Sequence, residues 1–250
     1  SGTAPETDLP AYFNCIDATA VSLISAHRGG PAPGYPENAL PTFKRTTSLT
    51  GALLEVDVTT SADGVLFLHH DDTLDRTTTG SGLAIETSWE KLRTYSLKDP
   101  NRRVTAYGLT RLDEALEWAK GKAILQLDIK RGTDYDDVAR VVQEAGAEAR
   151  VILIAYTAGQ AYALNRRFPT SMVSVPISAI ADVEVFIGKG ISSDRLLAWT
   201  GNRKTSPALY QALDQAGIEV IFGTLGGRSS IDKDIAASGS DDRYQEIVSQ

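Results

Sequence analysis

The chain has 250 residues and a formal net charge of −7. That balance argues against a nucleic-acid binder, which needs a basic face for the phosphates. Its single cysteine, Cys15, excludes an intrachain disulfide and a thiolate metal cluster. Hydrophobic residues make up 42% of the chain, enough for a sizeable core, yet no apolar run reaches the ~18 residues of a membrane span. No signal peptide is legible, and Ser1-Gly2-Thr3-Ala4-Pro5 reads as a processed or engineered terminus. An exported (periplasmic) and a cytoplasmic bacterial location both stay open, as does the oligomeric state.

In chain order, a strand-like run at 23–26 precedes a helical pattern at 39–48 and a second strand at 53–58. The run at 65–70 also reads as a strand, but it follows 58 too closely for a parallel crossover, which needs a dozen or more residues. Asp63-Gly64 is a strong hairpin turn, so 65–70 is expected to fold back as an antiparallel excursion over the mouth of the sheet. Residues 77–108 read as an elaborated loop. Helices at 112–119, 135–145, 158–167, 180–188 and 207–216 then alternate with strands at 124–129, 151–156, 172–176, 195–199 and 219–222. Buried runs alternating with helices indicate a parallel sheet, and the lack of a Gly-rich turn after the first strand counts against a dinucleotide fold. The expected fold is α/β: a (β/α)8 TIM-type barrel spanning 1–250 as one domain, with the hairpin and loop inserted at about 59–108. Only seven barrel strands are counted. A helical pattern at 241–249 stands where an eighth strand would come next, so that position is expected to be empty or filled from elsewhere, leaving two strand edges open to pairing.

The chain has three histidines, and all lie in two short stretches. One is Ser25-Ala26-His27-Arg28-Gly29-Gly30 with Pro36-Glu37-Asn38; the other runs from Glu55-Val56-Asp57 to His69-His70-Asp71-Asp72. Strand side chains alternate, so Glu55 and Asp57 share a face, as do Asp128 and Lys130 at the end of the next strand. Three carboxylates converging on the C-terminal mouth suit a hard divalent cation, Mg²⁺ or Ca²⁺. His27 and His70 are candidates for an acid and base pair, because imidazole titrates near neutral pH. His69 must face away from His70 on a strand and is given a structural role. Arg28 is placed to clamp a phosphate oxygen through its planar fork, or else pairs with a carboxylate. Asn38 could be the N-cap of the following helix, and Glu37 could reach the metal or brace Arg28. Trp199 is a wall for an organic group or ordinary core-edge packing.

These residues resemble the glycerophosphodiester phosphodiesterase family of the PLC-like phosphodiesterase superfamily. The resemblance lies in His27-Arg28-Gly29-Gly30 with Pro36-Glu37-Asn38, in Glu55-Val56-Asp57, and in the run from Asp63-Gly64 through His70-Asp71-Asp72-Thr73-Leu74-Asp75-Arg76-Thr77-Thr78. Leu109-Thr110-Arg111-Leu112-Asp113-Glu114-Ala115-Leu116, Leu127-Asp128-Ile129-Lys130 and Ala198-Trp199-Thr200 extend it. It implies metal-dependent hydrolysis of a small-molecule glycerophosphodiester to a glycerol phosphate and an alcohol. It implies acid/base work for His27 and His70, metal ligation by Glu55, Asp57 and Asp128, and phosphate contact by Arg28 and Lys130. The family usually carries glutamate where this chain has Asp128, and it normally ends in a further strand bearing Thr-Asp. Three other readings compete: a lysophospholipid or sphingolipid phosphodiesterase of the same superfamily, favoured by an apolar lip; a glycoside hydrolase, which would not need two histidines; and a non-catalytic phosphate-binding barrel.

Overall fold

The computed structural model describes residues 8–17, 21–226 and 230–248. The Ser1–Pro5 terminus and the last residues of the 241–249 pattern lie outside them. In chain order the elements are α1 (Leu9–Asp17), β1 (Ile24–Ala26), α2 (Leu40–Leu49), β2 (Ala52–Thr60), β3 (Leu66–Leu68), α3 (Trp89–Leu92), β4 (Ser96–Lys98), β5 (Val104–Gly108), α4 (Leu112–Ala119) and β6 (Ile124–Ile129). They continue with α5 (Tyr135–Glu144), β7 (Val151–Ile154), α6 (Ala158–Arg167), β8 (Met172–Pro176), α7 (Ile180–Ile187), β9 (Leu196–Trp199), α8 (Pro207–Gln215), β10 (Glu219–Ile221), α9 (Ile231–Ser238) and α10 (Asp242–Val248).

The strands form a curled parallel sheet in the order β1-β2-β6-β7-β8-β9-β10, with β3 paired antiparallel to β2. Among the described residues there are seven barrel strands, and β1 and β10 do not pair. The sheet is a half-barrel of the expected (β/α) type. The excursion at 65–70 is also as expected: Val58 pairs with Leu68 and Thr60 with Leu66, around a turn in which Gly64 has φ of 79°.

Strand alternation sorts the apolar residues into two layers. Leu54, Val56, Val58, Leu125, Leu127 and Val173 face outward and pack beneath the helices. Leu53, Ile124, Ile152, Met172 and Leu197 face inward at the floor of the sheet, where Leu9 and Phe13 of α1 cover them. Sequence periodicity did not single out α1. Its role is to plug the floor, and each of those two side chains contributes roughly 2–3 kcal/mol by leaving water. The stretch 77–108 is more ordered than a loop. It carries α3 and the β4–β5 hairpin over a small core of its own, formed by Phe67, Leu74, Leu92, Leu97 and Leu109.

After β1 the chain makes a tight turn through His27, Arg28 and Gly29, with φ of 51° at Arg28, 80° at Gly29 and 81° at Gly30. A Cβ on Gly29 would lie 2.3 Å from Cε1 of the fully buried Phe43, so neither conformation nor space admits a side chain. Gly29→Ala is expected to cost about 2–4 kcal/mol by urea unfolding, combining a left-handed alanine with overpacking.

Candidate active site

The acidic cluster follows from strand register. Asp57 of β2 lies directly beside Asp128 of β6, and Glu55 sits one inward position deeper on β2. All three side chains are buried, and each offers an oxygen within 4.8 Å of those of the other two. Burial pushes the Glu55 carboxyl up to about 8, and the charges of Asp57 and Asp128 push the same way. Lys130, from the end of β6, turns back into the cluster, with Nζ 2.5 Å from Asp57 Oδ1 and 2.6 Å from Asp128 Oδ2. Burial opposes its charge, but the two carboxylates carry its pKa above the ordinary value. With all three carboxyls ionised, the Lys130 ammonium and the Arg28 guanidinium, 3.7 Å from Asp57, together leave one negative charge unmatched. An all-oxygen donor set of that kind could hold a metal ion, and a hard one fits it best.

The residues around the cluster are held by it. Arg28 N–H donates to Glu55 Oε2 at 2.7 Å, which ties the left-handed turn to β2. Asn38 is not the N-cap of α2; Ala39 occupies that place. Asn38 is buried with φ of 56°. Its Nδ2 donates to Asp57 Oδ2 at 2.7 Å, and its Oδ1 accepts from Asp57 N–H at 3.0 Å. That two-way clamp compensates a strained backbone. Glu37 turns to the arginines: it accepts from Arg28 Nη1 at 3.1 Å and takes a two-pronged contact from Arg76. Arg28 Nε is buried 3.7 Å from Asp57 Oδ2 and has no hydrogen-bond partner among the described residues.

His27 stands at the end of β1 with access to solvent. Partial desolvation by its crowded surroundings holds its pKa below the usual histidine value, and the Arg28 and His70 charges act the same way against Asp57 and Glu37. His70 lies just past β3, half-buried, with Nδ1 2.7 Å from Asp71 Oδ1. His69 is buried on the other side, with Nε2 3.0 Å from the Thr73 carbonyl. Trp199 ends β9, 38% exposed, against Gly223, where an added Cβ would fall 2.3 Å from its ring.

Sequence reasoning missed Tyr156, whose hydroxyl donates to Asp128 Oδ2 at 2.9 Å. Burial raises the Tyr156 pKa, and the Asp128 charge and hydrogen bond raise it further. Strand alternation carried the signal, since Ile152 faces the floor and Tyr156 stands four positions on. Roles for Asp71 and Arg76 were also missed, and no spacing rule could have supplied them, because both come from a loop.

The linkage of Glu55 gives a test without substrate. Its folded pKa lies above an unfolded value near 4.5, so its contribution to stability is present below that pH and is lost as pH rises towards about 8. In EDTA the melting temperature of the wild type should fall across that window relative to that of Glu55→Gln, a comparison that cancels the opposite contributions of His69 and His27, whose pKa values are lowered by burial. A saturating divalent cation should flatten the fall, because it binds the ionised form. A wild-type melting temperature that rises relative to that of Glu55→Gln from pH 5 to 8 in EDTA would contradict the raised pKa.

A half-barrel with buried carboxylates at the C-terminal ends of its strands, ringed by histidine, arginine and lysine, belongs to the class of (β/α) barrel hydrolases. A model of the "Glycerophosphoryl diester phosphodiesterase family" matches residues 27–173, more than half of the chain, and this protein belongs to that family. A glycerophosphoryl diester phosphodiesterase from Parabacteroides distasonis, known from a crystal structure, is 32% identical with a TM-score of 0.77, covering 88% of this chain and 81% of that one. The glycerophosphodiester phosphodiesterase of Caldanaerobacter subterraneus is 39% identical over 72 residues, which span only 29% of that enzyme's length and 29% of this chain. An Oleispira antarctica phosphodiesterase solved with its product sn-glycerol-3-phosphate shares the fold at 20% identity and a TM-score of 0.66, over 90% of this chain and 92% of that one. No helix among the described residues is long and apolar enough to cross a membrane.

Proposed function

We propose that this protein hydrolyses small glycerophosphodiesters to a glycerol phosphate and an alcohol, with Glu55, Asp57 and Asp128 holding Mg²⁺ or Ca²⁺. The observation that carries the reading is the buried trio of carboxylates within 4.8 Å, adjoining two histidines and an arginine with an unpartnered Nε. A divalent ion there would polarise the phosphoryl oxygens. Arg28 and Lys130 contact the phosphate, and Lys130 releases part of its carboxylate pairing to do so. His27, held neutral by its lowered pKa, takes the proton from the attacking water or substrate hydroxyl. The phosphorus–oxygen bond to the leaving group breaks, and His70, doubly protonated before the step, gives its Nε2 proton to the departing alkoxide and is left neutral. Asp71 can only accept when ionised, so it holds the hydrogen on His70 Nδ1 and leaves Nε2 for the proton transfer. The product class is that of the sn-glycerol-3-phosphate bound by the Oleispira antarctica phosphodiesterase.

The test is release of glycerol phosphate from glycerophosphocholine, followed chromatographically with and without EDTA. Release that is abolished by EDTA and restored by Mg²⁺ or Ca²⁺ supports the reading; no release with either metal sinks it. A second reading, a lysophospholipid as substrate, is favoured by exposed apolar groups around the mouth: Tyr156, Trp199 and Leu225 stand 61%, 38% and 51% exposed. Faster turnover of lysophosphatidylcholine than of glycerophosphocholine would select it.

A further inference from the structure

We propose that Arg76 is a positioning residue that sets both halves of the site at once, holding His70 through Asp71 and Arg28 through Glu37. Its guanidinium faces two carboxylates. Nε donates to Asp71 Oδ2 at 2.5 Å and Nη2 to Asp71 Oδ1 at 2.8 Å. On the other side Nη1 donates to Glu37 Oε2 at 2.9 Å and Nη2 to Glu37 Oε1 at 2.7 Å. The same Asp71 Oδ1 meets His70 Nδ1 at 2.7 Å, and Glu37 reaches Arg28 Nη1 at 3.1 and 3.2 Å. A continuous chain of charge-assisted contacts therefore runs from one proposed proton carrier to the proposed phosphate clamp. Only a planar fork with donors on two edges can serve two carboxylates in this way; a lysine ammonium is a point charge.

The arrangement is not needed to build the loop. Backbone bonds from Leu74 N–H to the Gly82 carbonyl and from Ala84 N–H to the Asp72 carbonyl, with the His69 contact to Thr73, hold 69–76 without Arg76. Arg76 itself is half-exposed and lies outside the apolar core. What it adds is orientation. With Asp71 gripped along both oxygens, His70 has one ring orientation and one tautomer. With Glu37 gripped, Arg28 keeps its guanidinium against Asp57 rather than swinging to solvent. The catalytic consequence rests on the functional reading above; the geometric one does not.

The experiment is a pair of mutant cycles on glycerophosphocholine with a spectroscopic control. Arg76→Gln should lower kcat about tenfold and raise KM severalfold, the scale on which outer-shell partners act. In a His70→Ala background the same change should cost no further kcat, and in a Glu37→Gln background it should raise KM no further. Losses that simply add in both backgrounds would overturn the proposal. Arg76→Lys should recover at most one of the two parameters, and full recovery of both would also overturn it. At a pH where the ring is neutral, the side-chain nitrogen shifts of His70 should report a single Nδ1–H tautomer in the wild type and a mixture in Arg76→Gln. Unchanged shifts would sink the proposal. That measurement needs no turnover, so a protein that hydrolyses no glycerophosphodiester would defeat the functional reading and leave this test standing.

Discussion

Replacing His70 by alanine is expected to lower kcat at least about a hundredfold while the fold survives, and His27→Ala should do the same, the usual scale of general acid–base catalysis. His27 reaches solvent and His70 is half-buried, so neither side chain supports the core. His69→Ala should behave in the opposite way. His69 is buried and its Nε2 meets the Thr73 carbonyl, so its loss should cost about 1 kcal/mol of stability and leave kcat nearly intact. Steady-state kinetics on glycerophosphocholine and thermal melts of the three variants separate the two behaviours. A kcat loss in His69→Ala as large as that in His70→Ala would mean that the pair is assigned the wrong way round.

The second large effect concerns the acidic cluster. Asp57→Asn should weaken divalent-ion binding by more than about a hundredfold, beyond the 10–100-fold typical of outer-shell changes. Activity should fall with it. The asparagine carbonyl can still accept from Asn38 Nδ2, so the buried hydrogen bond survives. What disappears is one of three carboxylate charges crowded within 4.8 Å. The metal-free variant should therefore be as stable as the wild type or more so, because repulsion on Glu55 is relieved. Calorimetric metal titration and melts in EDTA check the two signs together. Undiminished metal affinity would remove Asp57 from the ligand set. A large drop in metal-free stability would mean that the Lys130 pairing, not metal binding, is what the cluster serves.

Much of this is legible in the sequence, and the reason is periodicity. Residues 112–119, 124–129, 158–167 and 172–176 carry unbroken helical or strand patterns, and each became the element expected. Asp63-Gly64 identified the hairpin because its turn chemistry is local. The helix α1 escaped because its Leu9 and Phe13 find their partners on five different strands, contacts that no local window contains. The stretch 77–108 escaped likewise. Its β4–β5 hairpin is short, and Val104 of β5 is well exposed, so strand alternation was faint. At the site, Asn38 reads locally as a helix cap, yet the buried Asp57 N–H and carboxylate outcompete that role.

The sequence by itself determined the strand-end chemistry: Glu55 with Asp57 and Asp128 with Lys130 share faces because a strand repeats every two residues, whatever surrounds it. It also determined that the pair His69-His70 returns over the sheet, since four residues cannot make a parallel crossover. Only the tertiary structure decided how those groups are partnered. The β2–β6 register put Asp57 beside Asp128, and the β6–β7 register brought the Tyr156 hydroxyl, just past β7, to 2.9 Å from Asp128. Loop packing set Arg76 between Glu37 and Asp71, residues 39 and 5 positions away along the chain. Such contacts depend on where separate elements come to rest in space, and a linear pattern of polar and apolar residues does not encode that distance.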